Sequence, residues 1–319
     1  MNTNTKFNLI TNNLEEIMNE QELINVLNER DLKIYWGVAP TDKIDIGILI
    51  PLVKLAQFLK ADCEVSVLFA DLHGFLDSNT STWNKSQYKI KYYIKIIKLL
   101  LSELDAPTEK LNFIVGSEYQ FMKNYTFDVY KLMSIISVNE INKATHGVIS
   151  RDTYSKASSI IYPGLQILDE EYLKVDAQLG GIEQKRIFEL SDKYLPRLGY
   201  KRKIHLINTS KNGYNIDILA ETNMISRQLN KLNDQQIIKF VKHVVFPKEK
   251  LNNNKIKIIA NETFIFSYFE TFKKSIDNNE LNIDIIKKNI IEWLSDFLDS
   301  IRSTFNKEKN IKLLKLAFG

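Results

Sequence analysis

The 319-residue sequence predicts an α/β protein: a doubly wound parallel sheet over residues 1–213, followed by an all-α domain over 214–319. Two observations carry that expectation. Up to residue 208, apolar runs of strand length alternate with helix-like segments of about ten residues or more, the pattern of right-handed βαβ units. Beyond Asp217 the apolar spacing is helical throughout.

Taken in order, residues 7–31 read as one or two amphipathic helices, with Leu9, Ile10, Leu14, Ile17 and Met18 and then Leu23, Val26 and Leu27 at helical spacing. Lys33–Val38 (K-I-Y-W-G-V) reads as a short buried strand closed by Ala39, Pro40 and Thr41. A helix over 46–60 leads to 64–70 (E-V-S-V-L-F-A), the apolar run of a central parallel strand. A helix over 84–104, with Tyr88, Tyr92 and Ile96 four apart, precedes a strand over 112–115 and helices over 128–144 and 155–172. A strand over 175–178, a helix over 182–194 and a strand over 203–207 complete the first part. In the second part helical periodicity runs through 237–245, 264–272, 283–301 and 311–318, with breaks at Pro247 and 252–254.

Composition narrows the function. Hydrophobic content of 44% and charged content of 26% are those of an ordinary globular chain. The single cysteine, Cys63, excludes an internal disulfide and a cysteine metal cluster and fits a reducing compartment. His73, His146, His205 and His243 have no zinc-type spacing, so no metal site is expected. No charged-then-apolar leader opens the sequence, which predicts no secretory signal. The longest apolar run, 46–59, contains Pro51 and Lys54 and is too short to span a bilayer, so no membrane partner is expected. Neither G-x-G-x-x-G nor G-x-x-x-x-G-K-[ST] occurs, which leaves a dinucleotide fold and a P-loop unsupported. The net charge of +4 is unevenly shared: residues 201–319 hold 21 Lys+Arg against 13 Asp+Glu, and residues 1–200 hold 22 against 26. The basic C-terminal part suits a polyanion partner, or is simply the solvated surface of basic helices.

In a doubly wound sheet a ligand binds at the carboxyl ends of the strands, near the switch point. That gathers Tyr35, residues 39–41, 71–73, 116–118 and 175–181 around one crevice. Tyr162, Gln166 and Asp169 fall at i, i+4 and i+7 and share one helix face, whereas Leu165, Leu168 and Tyr172 lie on another stripe. A carboxylate, two carboxamides and a phenol around one cavity suit a small polar ligand with a cationic group and a hydroxyl. A helix N-terminus with a capped loop accounts for the same spacing equally well.

Longer stretches carry a resemblance. They are L-K-I-Y-W-G at 32–37, L-F-A-D-L-H at 68–73, D-V-Y-K-L at 128–132 and Y-P-G-L-Q-I-L-D-E-E-Y-L-K-V-D-A-Q at 162–178. They continue with G-G-I-E-Q-K-R-I-F at 180–188, K-Y-L-P-R-L-G-Y at 193–200 and F-V-K-H-V-V-F-P at 240–247. In this order, over nearly the whole chain, they resemble tyrosyl-tRNA synthetase of the eukaryotic cytoplasmic and archaeal kind, a class I aminoacyl-tRNA synthetase. The resemblance implies a Rossmann-like catalytic domain over 1–213, a helical anticodon-binding-type domain over 214–319, a cytoplasmic location and a homodimer with its interface near 128–144. It implies that Tyr35 and Asp169 hold the tyrosine phenol, that Tyr162, Gln166 and Gln184 hold the ammonium group, and that Gln178 lines the same pocket. Gly180, Gly181 and Glu183 match the element beside the ATP ribose, and Ala39, Thr41 and Gly47 complete the ATP side. The implied reaction forms tyrosyl-adenylate from tyrosine and ATP with Mg²⁺, then transfers tyrosine to its tRNA, with no tightly bound cofactor.

Two elements depart from the family pattern. The His-Ile-Gly-His-like motif reads P-T-D-K-I-D-I-G-I over 40–48, with Asp42 at the glycine, Asp45 at the leading histidine and Ile48 at the second. The Lys-Met-Ser-Lys-Ser-like loop is missing: only Thr209, Ser210, Lys211, Asn212 and Gly213 separate 204–208 from Tyr214. The catalytic candidates are therefore Asp45, Lys43 and Lys211. Local roles compete with these: Asp42 as a turn residue, Asp45 as a helix N-cap and Lys211 as a solvated turn lysine. The aromatic-bearing turn expected before Asn261 is absent as well, which bears on anticodon reading. Two readings follow: an active tyrosine–tRNA ligase, or a catalytically dead paralogue that binds tyrosine or tRNA or serves as a dimer partner.

Overall fold

In the computed structural model, which describes residues 1–77, 83–149 and 156–319, six strands form the main sheet. They are β1 (Glu16–Met18), β2 (Lys33–Val38), β3 (Glu64–Phe69), β4 (Leu111–Val115), β5 (Ala177–Gly181) and β6 (Ile204–Asn208), in the spatial order β1-β6-β5-β2-β3-β4. Neighbours are parallel throughout except β1, which runs antiparallel to β6. The chain winds from β2 outward through β3 to β4, then returns to lay β5 on the other side of β2. That reversal puts the switch point between the carboxyl ends of β2 and β5.

The helices of this part are α1 (Thr3–Thr11), α2 (Glu20–Glu29), α3 (Leu49–Lys60), α4 (Asp71–Asp77), α5 (Trp83–Glu103), α6 (Ser117–Gln120), α7 (Lys123–Met133), α8 (Val138–Thr145), α9 (Ser158–Tyr172) and α10 (Lys185–Tyr194). They cover both faces of the sheet, as the side-chain alternation of β2 records. Ile34, Trp36 and Val38 join the core shared with α3 and α5. Tyr35, between them, points to the opposite core, built by Tyr125, Val129 and Leu132 of α7, Leu165 and Leu168 of α9 and Ile187 and Leu190 of α10. Both faces being buried explains why the strands read as continuous apolar runs.

Tyr214–Ala220 crosses back onto the first part before the C-terminal helices begin. The Ile46 amide donates to the Ile216 carbonyl and the Ile218 amide to the Ile44 carbonyl, each at 2.9 Å. There follow α11 (Thr222–Leu229), α12 (Asp234–Phe240), a π-helical turn over Val241–Val245, α13 (Phe246–Leu251), α14 (Phe269–Asp277), α15 (Ile283–Phe305) and α16 (Glu308–Phe318). The last two close onto α5, where the Tyr92 ring lies 5.7 Å from Phe305 and 5.1 Å from Phe318. No helix of the described residues is long and apolar enough to cross a membrane.

Several elements differ from the sequence expectation. The helical C-terminal region also carries an antiparallel hairpin, β7 (Ile256–Ile259) with β8 (Thr263–Phe266), and so the helix expected over 264–272 starts only at Phe269. Ile256 and Ile258 are buried while Lys257 and Ile259 are exposed, a period of two that the short run concealed. The stretch over 7–31 contains β1 between its two helices. Strand β5 begins two residues later than expected and runs through Gly180 and Gly181. Residue 155, the expected start of the long helix, lies outside the described residues, and α9 begins at Ser158.

Candidate functional site

A cavity of about 220 Å³ opens at the switch point. β2 contributes Tyr35 and the turn after it Ala39 and Thr41. β5 contributes Gln178, Gly180 and Gly181, the next turn Glu183 and Gln184, α4 His73 and Asp77, and α9 Tyr162, Gln166 and Asp169. The loop after β6 closes the far side with Asn208, Thr209 and Lys211. The one-face spacing of Tyr162, Gln166 and Asp169 therefore holds in three dimensions, and the capped-loop alternative does not describe this helix.

Asp169 is the electrostatic centre. It is 1% exposed, and its Oδ1 accepts from Tyr119 Oη at 2.7 Å, Gln120 Nε2 at 2.8 Å and Tyr125 Oη at 2.8 Å. Burial pushes its pKa up to about 7, against the lowering influence of those three donors. Nearby polar atoms lack partners: Tyr35 Oη, both ring nitrogens of His73, Gln166 Nε2, Gln178 Oε1 and Glu183 Oε2 are buried without a hydrogen bond. Each such group costs about 1–3 kcal/mol, so their convergence on one cavity marks a place for a polar ligand. Burial also holds the Tyr35 and Tyr162 phenols above the usual tyrosine range, with Asp77 adding to the effect at Tyr162. Among the described residues, the lining carboxylates are Asp77, Asp169 and Glu183, and Lys211 is the one lining Lys or Arg. Burial lowers the Lys211 pKa, opposed by Asp45 and Glu183.

Gly180 matters by close approach. A Cβ there would stand 2.3 Å from Phe188 Cζ and 2.5 Å from Gln184 Oε1. Phe188 is stacked on His205 with 4.5 Å between ring centroids, and Gln184 Oε1 accepts the Gly181 amide at 3.1 Å. Both neighbours are thus fixed.

The phosphate-side expectations fare differently. Lys211 lines the cavity; Asp45, Lys43 and Gly47 are not among its lining residues. Lys43 is exposed. Asp45 turns back to accept the Gly47 amide at 2.8 Å and caps the 3₁₀ turn Ile46–Ile48, its local role. Gly47 gives room for the shortened loop: a Cβ there would meet the Lys211 carbonyl oxygen at 2.1 Å. Asp42 is exposed, and its carbonyl accepts from Tyr93 Oη at 2.8 Å.

Sequence reasoning placed His73 in the crevice turn 71–73 without giving it a role, and missed Asp77, Tyr119, Gln120 and Tyr125 as site residues. Their signal was position: His73 follows β3, and Tyr119 and Gln120 follow β4, both at carboxyl ends. Among the described residues, no group of three or more His, Cys, Asp or Glu is placed to hold a metal ion.

The sequence matches the model of the family described as tRNA synthetases class I (W and Y) over residues 27–284. It is 38% identical to the cytoplasmic tyrosine–tRNA ligase of Gallus gallus across 98% of this chain, and spans 63% of that relative's length. It is 33% identical to the probable cytoplasmic tyrosine–tRNA ligase of Encephalitozoon cuniculi over the full length of both. The fold is similar to tyrosyl-tRNA synthetase from Archaeoglobus fulgidus, solved with L-tyrosine, at a TM-score of 0.85 and 27% identity, covering 95% of this chain and 99% of that one. The chain belongs to the class I tyrosyl-tRNA synthetase family.

Proposed function

We propose that the cavity binds L-tyrosine for the tyrosine–tRNA ligase reaction, and that the activation step rests on a much reduced set of groups. The observation that carries the reading is Asp169, a buried carboxylate with one oxygen saturated by three donors and the other left for a ligand hydroxyl. In this reading Asp169 and Tyr35 take the phenol, Tyr162, Gln166 and Gln184 the ammonium group, and Gln178 lines the space between. Asp77 adds a carboxylate at the ammonium end. Loss of the substrate hydroxyl leaves Tyr35 and Asp169 unsatisfied, which selects tyrosine over phenylalanine.

The ATP side comprises Ala39, Thr41, Gly180, Gly181 and Glu183, with Gly47 behind them. Attack of the tyrosine carboxylate on the α-phosphate needs positioning and positive charge. Lys211 supplies that charge from the chain, and Mg²⁺ accompanies ATP as a substrate ion. Neither Asp45 nor Lys43 supplies a donor to the cavity. Transfer then delivers tyrosine to tRNA held along the basic 214–319 domain, while 1–213 carries the chemistry. The α6–α8 face exposes Phe121, Met122, Phe127, Tyr130 and Val138, which supports a homodimer through that surface. The names of the relatives, which describe them as cytoplasmic, support a cytoplasmic setting.

The inward turn of Asp45 and the preponderance of carboxylates around Lys211 favour a second reading, a catalytically dead paralogue that binds tyrosine or tRNA or partners another subunit. Tyrosine-dependent ATP–pyrophosphate exchange separates the two. Exchange supports the ligase; tyrosine binding without exchange selects the second reading. Absence of any tyrosine-induced rise in melting temperature sinks both.

A further inference from the structure

His73 has no role in the reading above, yet its surroundings are unusual. The side chain is 4% exposed, on α4 at the carboxyl end of β3; neither ring nitrogen makes a hydrogen bond of good geometry, and the Tyr162 backbone lies close enough to offset part of the effect of burial on the ring. The imidazole stands edge-on to the Tyr162 ring, 4.7 Å between centroids at 87°, which fixes its orientation. Its Nε2 lies 4.0 Å from Asp169 Oδ2, too far for a direct hydrogen bond. A single oxygen about 2.8 Å from each atom spans that gap. Asp169 Oδ1 is already occupied by Tyr119, Gln120 and Tyr125, so Oδ2 is the free acceptor.

Building on the tyrosine-pocket reading, we infer that His73 is a specificity-determining residue whose Nε2–H donates to the phenolic oxygen of the substrate. A neutral phenol has one donor and two acceptor lone pairs. Asp169 Oδ2 takes the donor, and Tyr35 Oη and His73 Nε2 fill the two lone pairs, so three otherwise unmet groups are satisfied by one hydroxyl. Burial holds His73 neutral, with its pKa lowered to about 4 against the opposing influence of Asp71 and the Tyr162 backbone, so the ring carries one N–H, which this inference places on Nε2, and adds no charge beside Asp169. The ligand class follows: an amino acid with a para-hydroxyl on its ring, with phenylalanine leaving three buried groups unpaired rather than two.

The test compares binding of L-tyrosine and L-phenylalanine by calorimetry in the intact chain, in His73→Leu and in His73→Gln, whose amide N–H reaches the Nε2 position. His73→Leu is expected to narrow the tyrosine-over-phenylalanine preference about tenfold, the effect of one hydrogen bond, and His73→Gln to recover most of it. Equal weakening of both ligands, or an unchanged preference, overturns the assignment. If the unsubstituted chain shows no preference for tyrosine, it is the tyrosine-pocket reading that has failed. Should the variants not fold, ¹⁵N-histidine spectra of the unsubstituted protein decide. The Nε2–H resonance of His73 should shift on adding tyrosine and not phenylalanine; the same response to both ligands overturns the inference.

Discussion

The carboxylate of Asp45 accepts the backbone amide of Gly47 at 2.8 Å, and so the residue at the leading position of the phosphate motif serves its own chain. It caps the 3₁₀ turn that leads into α3 and itself forms the antiparallel bridge to Asp217. Asp45→Ala should therefore lower stability by about 1 kcal/mol, the usual effect of losing an N-cap. Chemical denaturation measures that loss, and calorimetry should find the tyrosine affinity unchanged. A change in affinity with no change in stability would return Asp45 to the site.

Asp169 gives the cavity a pH dependence with a defined sign. Burial raises its pKa to about 7 in the folded protein, from the ordinary value of 3.8. Between these values the native chain holds a proton that the unfolded chain has released, so the contribution of Asp169 to stability is greatest below about pH 4 and falls as pH rises toward 7. This contribution is on the order of 4 kcal/mol across the window, and Asp169→Asn should flatten it. Tyrosine binding has the opposite slope. In the proposed site the phenol would donate to ionised Oδ2, so affinity should rise with pH and level off above about 7, with proton release on binding at pH 6. Calorimetry in buffers of different ionisation enthalpy reads that release directly.

In the proposed reaction Lys211 is the cation that the described residues bring to the cavity. Removal of one well-placed transition-state donor costs about 3 kcal/mol, roughly a hundredfold or more in rate. Lys211→Met should reduce tyrosine-dependent pyrophosphate exchange by that factor while leaving the tyrosine dissociation constant within about twofold. Because burial lowers the Lys211 pKa, exchange in the unsubstituted protein should also decline at a lower pH than free lysine would dictate. Exchange that survives Lys211→Met intact assigns the charge to Mg²⁺ alone.

The parts of this molecule legible in the sequence are those with a periodic signal. The strands β2, β3, β4 and β6 and the helices α3, α5, α9 and α15 stand within a few residues of expectation, because apolar spacing alone specifies them. Tyr162, Gln166 and Asp169 were readable for the same reason, since one helix aligns them. β1 and the β7–β8 hairpin were not, because strands of three and four residues leave too little periodicity to separate from a helix. Nor was the network around Asp169. Tyr119, Gln120 and Tyr125 lie 44 to 50 residues earlier in the chain, and only the winding of the sheet brings them to the same carboxylate. Asp45 shows the limit of alignment by position: its place in the motif says ligand, while its local capping geometry says turn.

Gly180 and Gly37 offer a matched pair of substitutions within the cavity lining. At Gly180 an added methyl would stand 2.3 Å from Phe188 Cζ, and that ring is held against His205 in the buried core. It would also stand 2.5 Å from Gln184 Oε1, the acceptor that caps the Gly181 amide. Neither neighbour can yield without breaking its own contact, so Gly180→Ala should cost about 1–3 kcal/mol, the range for overpacking a filled site. It should also weaken tyrosine binding by displacing Gln184. At Gly37 the same methyl meets Tyr35 Cε2 at 3.6 Å and Leu68 Cδ2 at 4.0 Å, ordinary packing distances. Gly37→Ala should therefore leave stability within about 0.5 kcal/mol of the parent chain. Urea unfolding of both variants, with tyrosine calorimetry alongside, checks the contrast; equal losses at the two positions would show that the β5 turn yields where its packing says it cannot.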